Sequence, residues 1–479
     1  MRIQCLRLIL ISNFLFLSGC KVFKPVEVST KHNMPASFSE NADSVSIGFI
    51  PRKQFFTDSN LIRLIDTALT YNLDLQRAIQ RMQYARAGVL FAKRRYLPAL
   101  NIGASAGVDK YGKYTQNGVG NFDSNLSPNV GPDEKIPDPY IDLFIGARSS
   151  WEISLWGNSR NLKKAARSRF LASEMGKNLI ITALVANIAT LYYDLLALDN
   201  ELVTIRKNLD LQEKALQTIQ DLKKGGKATE LAVKQFEAQF LETKGLEVQI
   251  QQQIVREENN LNVLLGRYPM HIVRGLPIRE QYLPDPVTTG VPSLMLTRRP
   301  DIRQAELELA ASKADVKLAR NAFLPSLTIS AYGGFNAFKA PLLFSNPASL
   351  AYGALSNLTM PLLNRSFIRS SYNKAVAYQL DSYYAYQKTI LQGFSEVVTS
   401  LNGIKNYEFI YQLKEEEVDA SLKAVIASKD LFASGYASYL EVITAQRYVL
   451  KAELELTEVK KDQFHSVIEL YRSLGGGWE

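Results

Sequence analysis

Residues 69–107 read LTYNLDLQRAIQRMQYARAGVLFAKRRYLPALNIGASAG, and residues 296–334 read LTRRPDIRQAELELAASKADVKLARNAFLPSLTISAYGG. A single offset of 227 carries Leu69, Asp74, Ala78, Ala87, Val89, Ala92, Leu97, Pro98, Leu100, Ile102, Ala104 and Gly107 onto Leu296, Asp301, Ala305, Ala314, Val316, Ala319, Leu324, Pro325, Leu327, Ile329, Ala331 and Gly334. So many identities at one spacing mark an internal duplication. In both copies a segment rich in helix formers runs up to a proline, which cannot continue the helix. Beyond Pro98 the period falls to two: Leu100, Ile102, Ala104, Ala106 and Val108 alternate with Asn101, Gly103, Ser105, Gly107 and Asp109. Beyond Pro325, Leu327, Ile329 and Ala331 alternate with Thr328, Ser330 and Tyr332. Each reads as a strand with one apolar and one polar face.

Working outward, each copy leads into a second strand. Leu143, Ile145, Ala147, Ser149, Trp151, Ile153 and Leu155 share one face in the first half, and Leu350, Tyr352, Ala354, Ser356, Leu358 and Met360 in the second. The stretches between strands, 111–138 and 335–349, read as loops. A very long helix follows each strand pair, from Arg160 to about Lys223 and up to about Phe432. The first would be on the order of 95 Å long at 1.5 Å per residue. Its stripe of Leu184, Ile188, Leu191, Leu195, Leu198, Leu202, Ile205 and Leu209 steps by fours and threes, the period of coiled-coil packing. Ile390, Phe394, Val397, Leu401 and Ile404 repeat that stripe at an offset of 206. Gly226 and Gly435 break the long helices, and Gly266 and Gly475 end the helices that return, both pairs at an offset of 209.

The chain has 479 residues and a formal charge of +9, with no basic block interleaved with aromatics that would suggest nucleic acid. Arg2 and Arg7 precede a short apolar run, Leu8 to Leu17, which reads as a signal peptide. It ends in Leu17-Ser18-Gly19-Cys20, the pattern of a bacterial lipoprotein signal with Cys20 acylated, and Lys21 favours the outer membrane. Loss of residues 1–19 removes Cys5, Arg2 and Arg7, so the charge falls from +9 to +7. Disulfides, thiol catalysis and Cys-based metal sites are then excluded. The expected organisation is signal peptide 1–19, lipid-anchored tether 20–60, first repeat 61–266, Pro-rich connector 267–293 and second repeat 294–479. No apolar run long enough for a transmembrane helix is expected, so any spanning structure must be made of strands.

Four strands cannot close a barrel wide enough for a pore, and unpaired edges in lipid are very costly. Three chains would supply twelve strands, an even antiparallel count in the usual range. The fold class is therefore membrane α+β. Each chain is internally duplicated, with four transmembrane strands and long coiled-coil-like helices. A trimeric twelve-stranded β-barrel would continue as a periplasmic α-helical barrel.

The duplicated plan, the lipobox and three motifs resemble the TolC-like outer-membrane efflux proteins, especially their acylated branch. The motifs are the Ala/Arg-rich helix into Leu-Pro, the run Gly435-Tyr-Ala-Ser438-Tyr-Leu440-Glu441-Val-Ile-Thr444-Ala-Gln446, and the terminal Leu474-Gly475-Gly476-Gly477-Trp478. The resemblance implies a homotrimer that docks with a periplasmic adaptor and an inner-membrane pump. It places the adaptor-docking tip at the turns Gly226, Ala228, Thr229, Leu231 and Gly435, Ala437, Ser438. It places the periplasmic gate at Leu440 and Glu441, with Thr444 standing where many members have a second aspartate. The plain alternative for the turns is a helix break with an N-cap, Thr229 or Ser438. Trp151, Trp156, Tyr111 and Tyr140 are candidate aromatic-girdle positions.

The function expected is a passive export conduit, with no cofactor besides the lipid on Cys20, no enzyme activity and no metal. His32, His271 and His465 lack ligand spacing, and no nucleotide-binding motif is present. The competing readings are a lipid-anchored trimeric coiled-coil scaffold or adhesin without a pore, and an envelope hydrolase. The strands speak against the first, and the lack of a catalytic constellation against the second.

Overall fold

The structure, a computed structural model, describes residues 35, 37–38, 46–282, 288–363 and 365–479. Cys20 and the signal stretch lie outside them. The chain separates into two compact units. One holds residues 86–168 and 310–381. The described part of the other holds residues 35, 37–38, 46–85, 169–282, 288–309 and 382–479.

In chain order the elements are α1 (Arg52–Phe55), α2 (Ser59–Tyr71), α3 (Leu73–Arg94), β1 (Ala99–Asp109), α4 (Gln116–Leu126), β2 (Tyr140–Ile153), α5 (Asn158–Lys224) and α6 (Glu230–Leu264). Then come α7 (Pro292–Arg298), α8 (Pro300–Asn321), β3 (Ser326–Ala337), β4 (Leu350–Thr359), α9 (Arg365–Ala433) and α10 (Tyr439–Ser473). The two halves thus repeat one plan, as the duplication predicts. Three details differ from the sequence reading. Thr115 caps an unexpected short helix, α4, by accepting from Gly118 N at 3.2 Å. Strand β3 runs on to Ala337. The stretch expected as a tether is folded from Ser46 onward. There Ile47, Phe55 and Phe56 are buried among Tyr471 and Leu474, and Tyr471 Oη donates to Ile50 O at 2.7 Å.

The sheet-bearing unit is an antiparallel meander in the order β1-β2-β3-β4. Its register decides how the faces combine. Leu100, Ile102, Ala104, Ala106 and Val108 pair with Ser149, Ala147, Ile145, Leu143 and Ile141. Leu143, Ile145, Trp151 and Ile153 pair with Ala337, Phe335, Ile329 and Leu327. Leu327, Ala331 and Phe335 pair with Leu358, Ala354 and Leu350. Directly paired residues point to the same side of a sheet. All four apolar faces therefore coincide, and this side is bare: Leu100, Ile102, Val108, Leu350, Tyr352 and Leu358 are exposed. Among the described residues, strands β1 and β4 each pair on one edge only, leaving a row of unpaired backbone groups on the other.

The second unit is a helical body around Leu61, Ile65, Tyr192, Tyr193, Leu261, Phe464, Ile468 and Tyr471. Here the heptad stripes are put to use: Leu184, Ile188, Leu195 and Ile205 of α5 and Ile390 and Val397 of α9 are buried. Part of α5 is apolar and long enough to cross a bilayer by composition. That departs from the expectation of no such helix, but Leu184, Ile188, Tyr192 and Leu195 spend the apolarity on this core instead. Tyr192 Oη donates to Asp58 Oδ2 at 2.7 Å and accepts from Gly275 N at 2.8 Å. Burial and that carboxylate push the Tyr192 phenol far above its usual range.

The duplication extends to the joints. Asn72, between α2 and α3, donates Nδ2 to Leu264 O at 2.9 Å at the end of α6. Arg299, between α7 and α8, donates Nη1 to Ser473 O at 3.0 Å at the end of α10. Positions 72 and 299 are repeat mates at the offset of 227, and 264 and 473 at the offset of 209. The glycines that follow fit the same way. A Cβ on Gly266 would stand 2.3 Å from Tyr71 O, and one on Gly475 3.0 Å from Arg298 O. Both have positive φ, 67° and 84°, which glycine alone adopts without strain.

Candidate functional site

Helix α5 ends in a left-handed glycine cap. Gly226 has φ 73°, and Lys227 N donates to Leu222 O at 2.8 Å. Gly435 does the same for α9, with φ 79° and Tyr436 N donating to Leu431 O at 2.9 Å. These are Schellman-type ends that satisfy the last carbonyls of the long helices. Each return helix then starts on a hydroxyl. Thr229 Oγ1 accepts from Ala232 N at 3.2 Å, and Ser438 Oγ accepts from Leu440 N at 3.3 Å. Ser438 Oγ also donates to the Glu441 carboxylate, which holds that carboxyl below its usual range. In the first turn Lys223 pairs with Glu230. Thr229→Ala or Ser438→Ala should each cost about 1 kcal/mol, the usual worth of an N-cap. Urea unfolding followed by circular dichroism measures it.

The two turns stand side by side. Ile219, Ala232, Val233 and Phe236 of α5 and α6 form one cluster with Ile443 of α10, and Ala228, Phe432 and Tyr439 pack on it. Ile205, Ile250 and Leu450 form a second cluster on the same helices. Between them in sequence sit Gln212, Gln239 and Gln446, all buried, each with an amide atom that has no hydrogen-bond partner among the described residues. Gln212 lies one heptad from both Ile205 and Ile219. A polar layer at such a position costs stability and fixes the register of packed helices.

The predicted gate residues are brought to one surface. Leu440, Glu441 and Thr444 line a groove between α9 and α10, with Ala424, Ser428 and Tyr448. Leu440 and Thr444 also border a longer groove between α6 and α10, whose walls include Gln239, Arg447, Lys451 and Glu201. Of the turn residues, Leu231 and Leu440 are exposed. An apolar residue and a carboxylate are thus left facing outward beside a rigid, capped turn.

Glu201 of α5 is the titratable group the sequence reading passed over. Burial raises its carboxyl to about 7, with Lys461 opposing and Glu458 adding to the shift. A raised carboxyl favours the folded state while it is protonated. That contribution is complete below about 4.5 and lost as pH rises through about 7. Glu201→Gln should therefore flatten the fall in thermal stability across that window. A melting series in pH reads it directly.

Other predicted positions have plainer settings. Trp156 Nε1 donates to Pro325 O at 2.6 Å, tying the end of β2 to the start of β3. Trp151 lies on the apolar face, and Tyr111 and Tyr140 sit 5.9 Å apart, ring to ring. His271 faces Glu258 at 2.9 Å, a carboxylate that Arg274 also grips at 2.6 Å, and His465 faces Asp194 at 3.0 Å. Among the described residues no group of His, Cys, Asp and Glu is arranged to hold a metal.

The comparisons with known proteins agree with this geometry. The family described as outer membrane efflux protein matches residues 64–267 and 291–476, one block for each half. The pyoverdine export outer membrane protein OpmQ of Pseudomonas aeruginosa is 29% identical over 429 residues, covering 88% of this chain and 86% of its own. The probable outer membrane lipoprotein SilC of Salmonella typhimurium is 25% identical over 99% of both chains. Among solved structures, the outer-membrane channel OprN superposes with a TM-score of 0.82 at 23% identity, covering 95% of this chain and 99% of its own. The chain belongs to the outer membrane efflux protein family and works in the bacterial outer membrane as the channel of an efflux system.

Proposed function

We propose that three copies of this chain join their sheets edge to edge into a twelve-stranded barrel. Its bore continues through a periplasmic barrel of the long helices. The chain is anchored by lipid on Cys20 and works without catalysis, cofactor or metal. It conducts what an inner-membrane pump delivers through a periplasmic adaptor. The observation that carries this reading is the shared apolar face, bare on one side of a sheet whose outer edges are both unpaired. In lipid such edges are tolerable only when paired, and a closed barrel pairs them all. A pore-free scaffold would have no use for that face. SilC, named a probable outer membrane lipoprotein, supports the anchor.

On this reading the two capped turns are the adaptor-docking tips, through Gly226, Ala228, Thr229, Leu231, Gly435, Ala437 and Ser438. Leu440 and Glu441, with Thr444 one turn on, ring the periplasmic mouth. Purified protein should run as a trimer by native mass spectrometry and conduct in planar bilayers. A monomer, or a trimer that passes no current, would sink the proposal.

A further inference from the structure

The polar face of the sheet carries a built feature that the channel reading does not use. Gly146 and Gly334 are direct partners across β2 and β3, and a Cβ on Gly146 would stand 2.6 Å from Gly334 Cα. The backbones pinch together on this side, as at a barrel corner, where only glycine fits. Two rings lie over the small residues. Phe144 Cζ covers Gly146, and Tyr332 covers Gly353, each where a Cβ would come within 2.9 Å. The rings meet edge to face at 6.1 Å, and Phe144 is buried although it lies on the polar face. On this floor sits Arg148, its guanidinium 4.7 Å from the Phe144 centroid.

Arg148 shares its row with Asn101, Tyr332 and Gly353, all uncharged. No carboxylate pairs with it among the described residues. Glu152, on the same face, is paired with Arg95 at 3.6 Å. Asp142 lies six residues along the strand, on the order of 20 Å away, which exceeds the Debye length of about 8 Å. The guanidinium is therefore an unneutralised charge held by a ring face. Such seating orients its flat side and leaves its edge N–H groups free for a carboxylate.

Resting on the trimeric-barrel reading above, we propose that Arg148, seated on Phe144 over the Gly146–Gly334 corner, is a charge-selecting position of the barrel's inner wall. Three copies would present three guanidinium groups to organic anions, planar carboxylates above all. The test uses the full-length trimer in a planar bilayer under a KCl gradient, with the planar tricarboxylate trimesate as probe. Arg148→Gln should move the reversal potential toward potassium and raise the half-blocking concentration of trimesate about tenfold, the loss of focusing by a ring of like charge. Arg148→Lys, which keeps the charge, should hold the wild-type reversal potential. A shift as large in the lysine variant, or no change in the glutamine variant, would overturn the proposal while leaving the channel intact. A wild-type trimer without conductance would instead bring down the barrel reading beneath it.

Discussion

Arg299→Met is expected to cost about 3–5 kcal/mol of folding stability, the price of leaving buried partners of a removed charge uncompensated. Arg299 is 5% exposed at its side chain and holds three segments at once. Its Nε and Nη2 grip Asp301 at 3.0 and 2.7 Å. Its Nη1 reaches Glu396 of α9 at 2.8 Å and Ser473 O of α10 at 3.0 Å. Helices α8, α9 and α10 meet on one guanidinium, and Gly393 makes room for it, since a Cβ there would come within 3.0 Å of Arg299 Cζ. Lysine cannot replace the planar fork, so Arg299→Lys should recover less than half of the loss. Chemical denaturation of the detergent-solubilised protein reads both variants. A loss under 1 kcal/mol for the methionine variant would mean the fork holds nothing together.

The second large effect concerns the mouth. Leu440→Ser with Glu441→Gln should raise the resting current of single trimers severalfold. On the trimeric reading proposed above, the pair would remove an apolar constriction and a ring of three carboxylates together. Glu441→Gln alone should leave the aperture and lower the cation preference by about tenfold, since like charges around a narrow bore concentrate counter-ions. Ser438 donates to the Glu441 carboxylate and holds its carboxyl below the usual range, but a glutamate at its ordinary value is ionised at neutral pH as well, so Ser438→Ala should leave the cation preference in place. An unaltered current in the double variant would remove Leu440 and Glu441 from the gate.

Much of this was legible in the chain before any coordinates. The switch from a period of 3.6 to one of 2 after Pro98 and Pro325 located β1 and β3, because alternation is what a half-buried strand requires. Gly226 and Gly435 announced the helix ends, and Thr229 and Ser438 the starts. Other features were not legible. The folding of Ser46–Asn60 was masked by its irregular composition: its apolar residues, Ile47, Phe49, Ile50, Phe55 and Phe56, do not form a period. The Arg299 fork was invisible because its partner Glu396 lies 97 residues away and no pattern links them. A signal was nonetheless there: Arg299 stands where the first repeat has Asn72, so both copies put a side-chain donor at the same joint. The groove beside the predicted gate residues depends on how α9 and α10 pack, which spacing along one helix cannot give.

The seam between Ser46–Phe56 and Phe464–Trp478 has a consequence for biogenesis. Tyr471 and Ile50 are bonded across 421 residues, and a Cβ on Gly48 would come within 2.8 Å of Leu474 O. The helical body therefore stays unsealed until its last helix has emerged. Contacts so distant in sequence close late and slowly. During that interval the stripes of α5 and the bare strand faces are open to wrong partners. Such a chain should gain from an escort across the envelope, and its yield should follow the supply of holding chaperones more closely than its own synthesis rate.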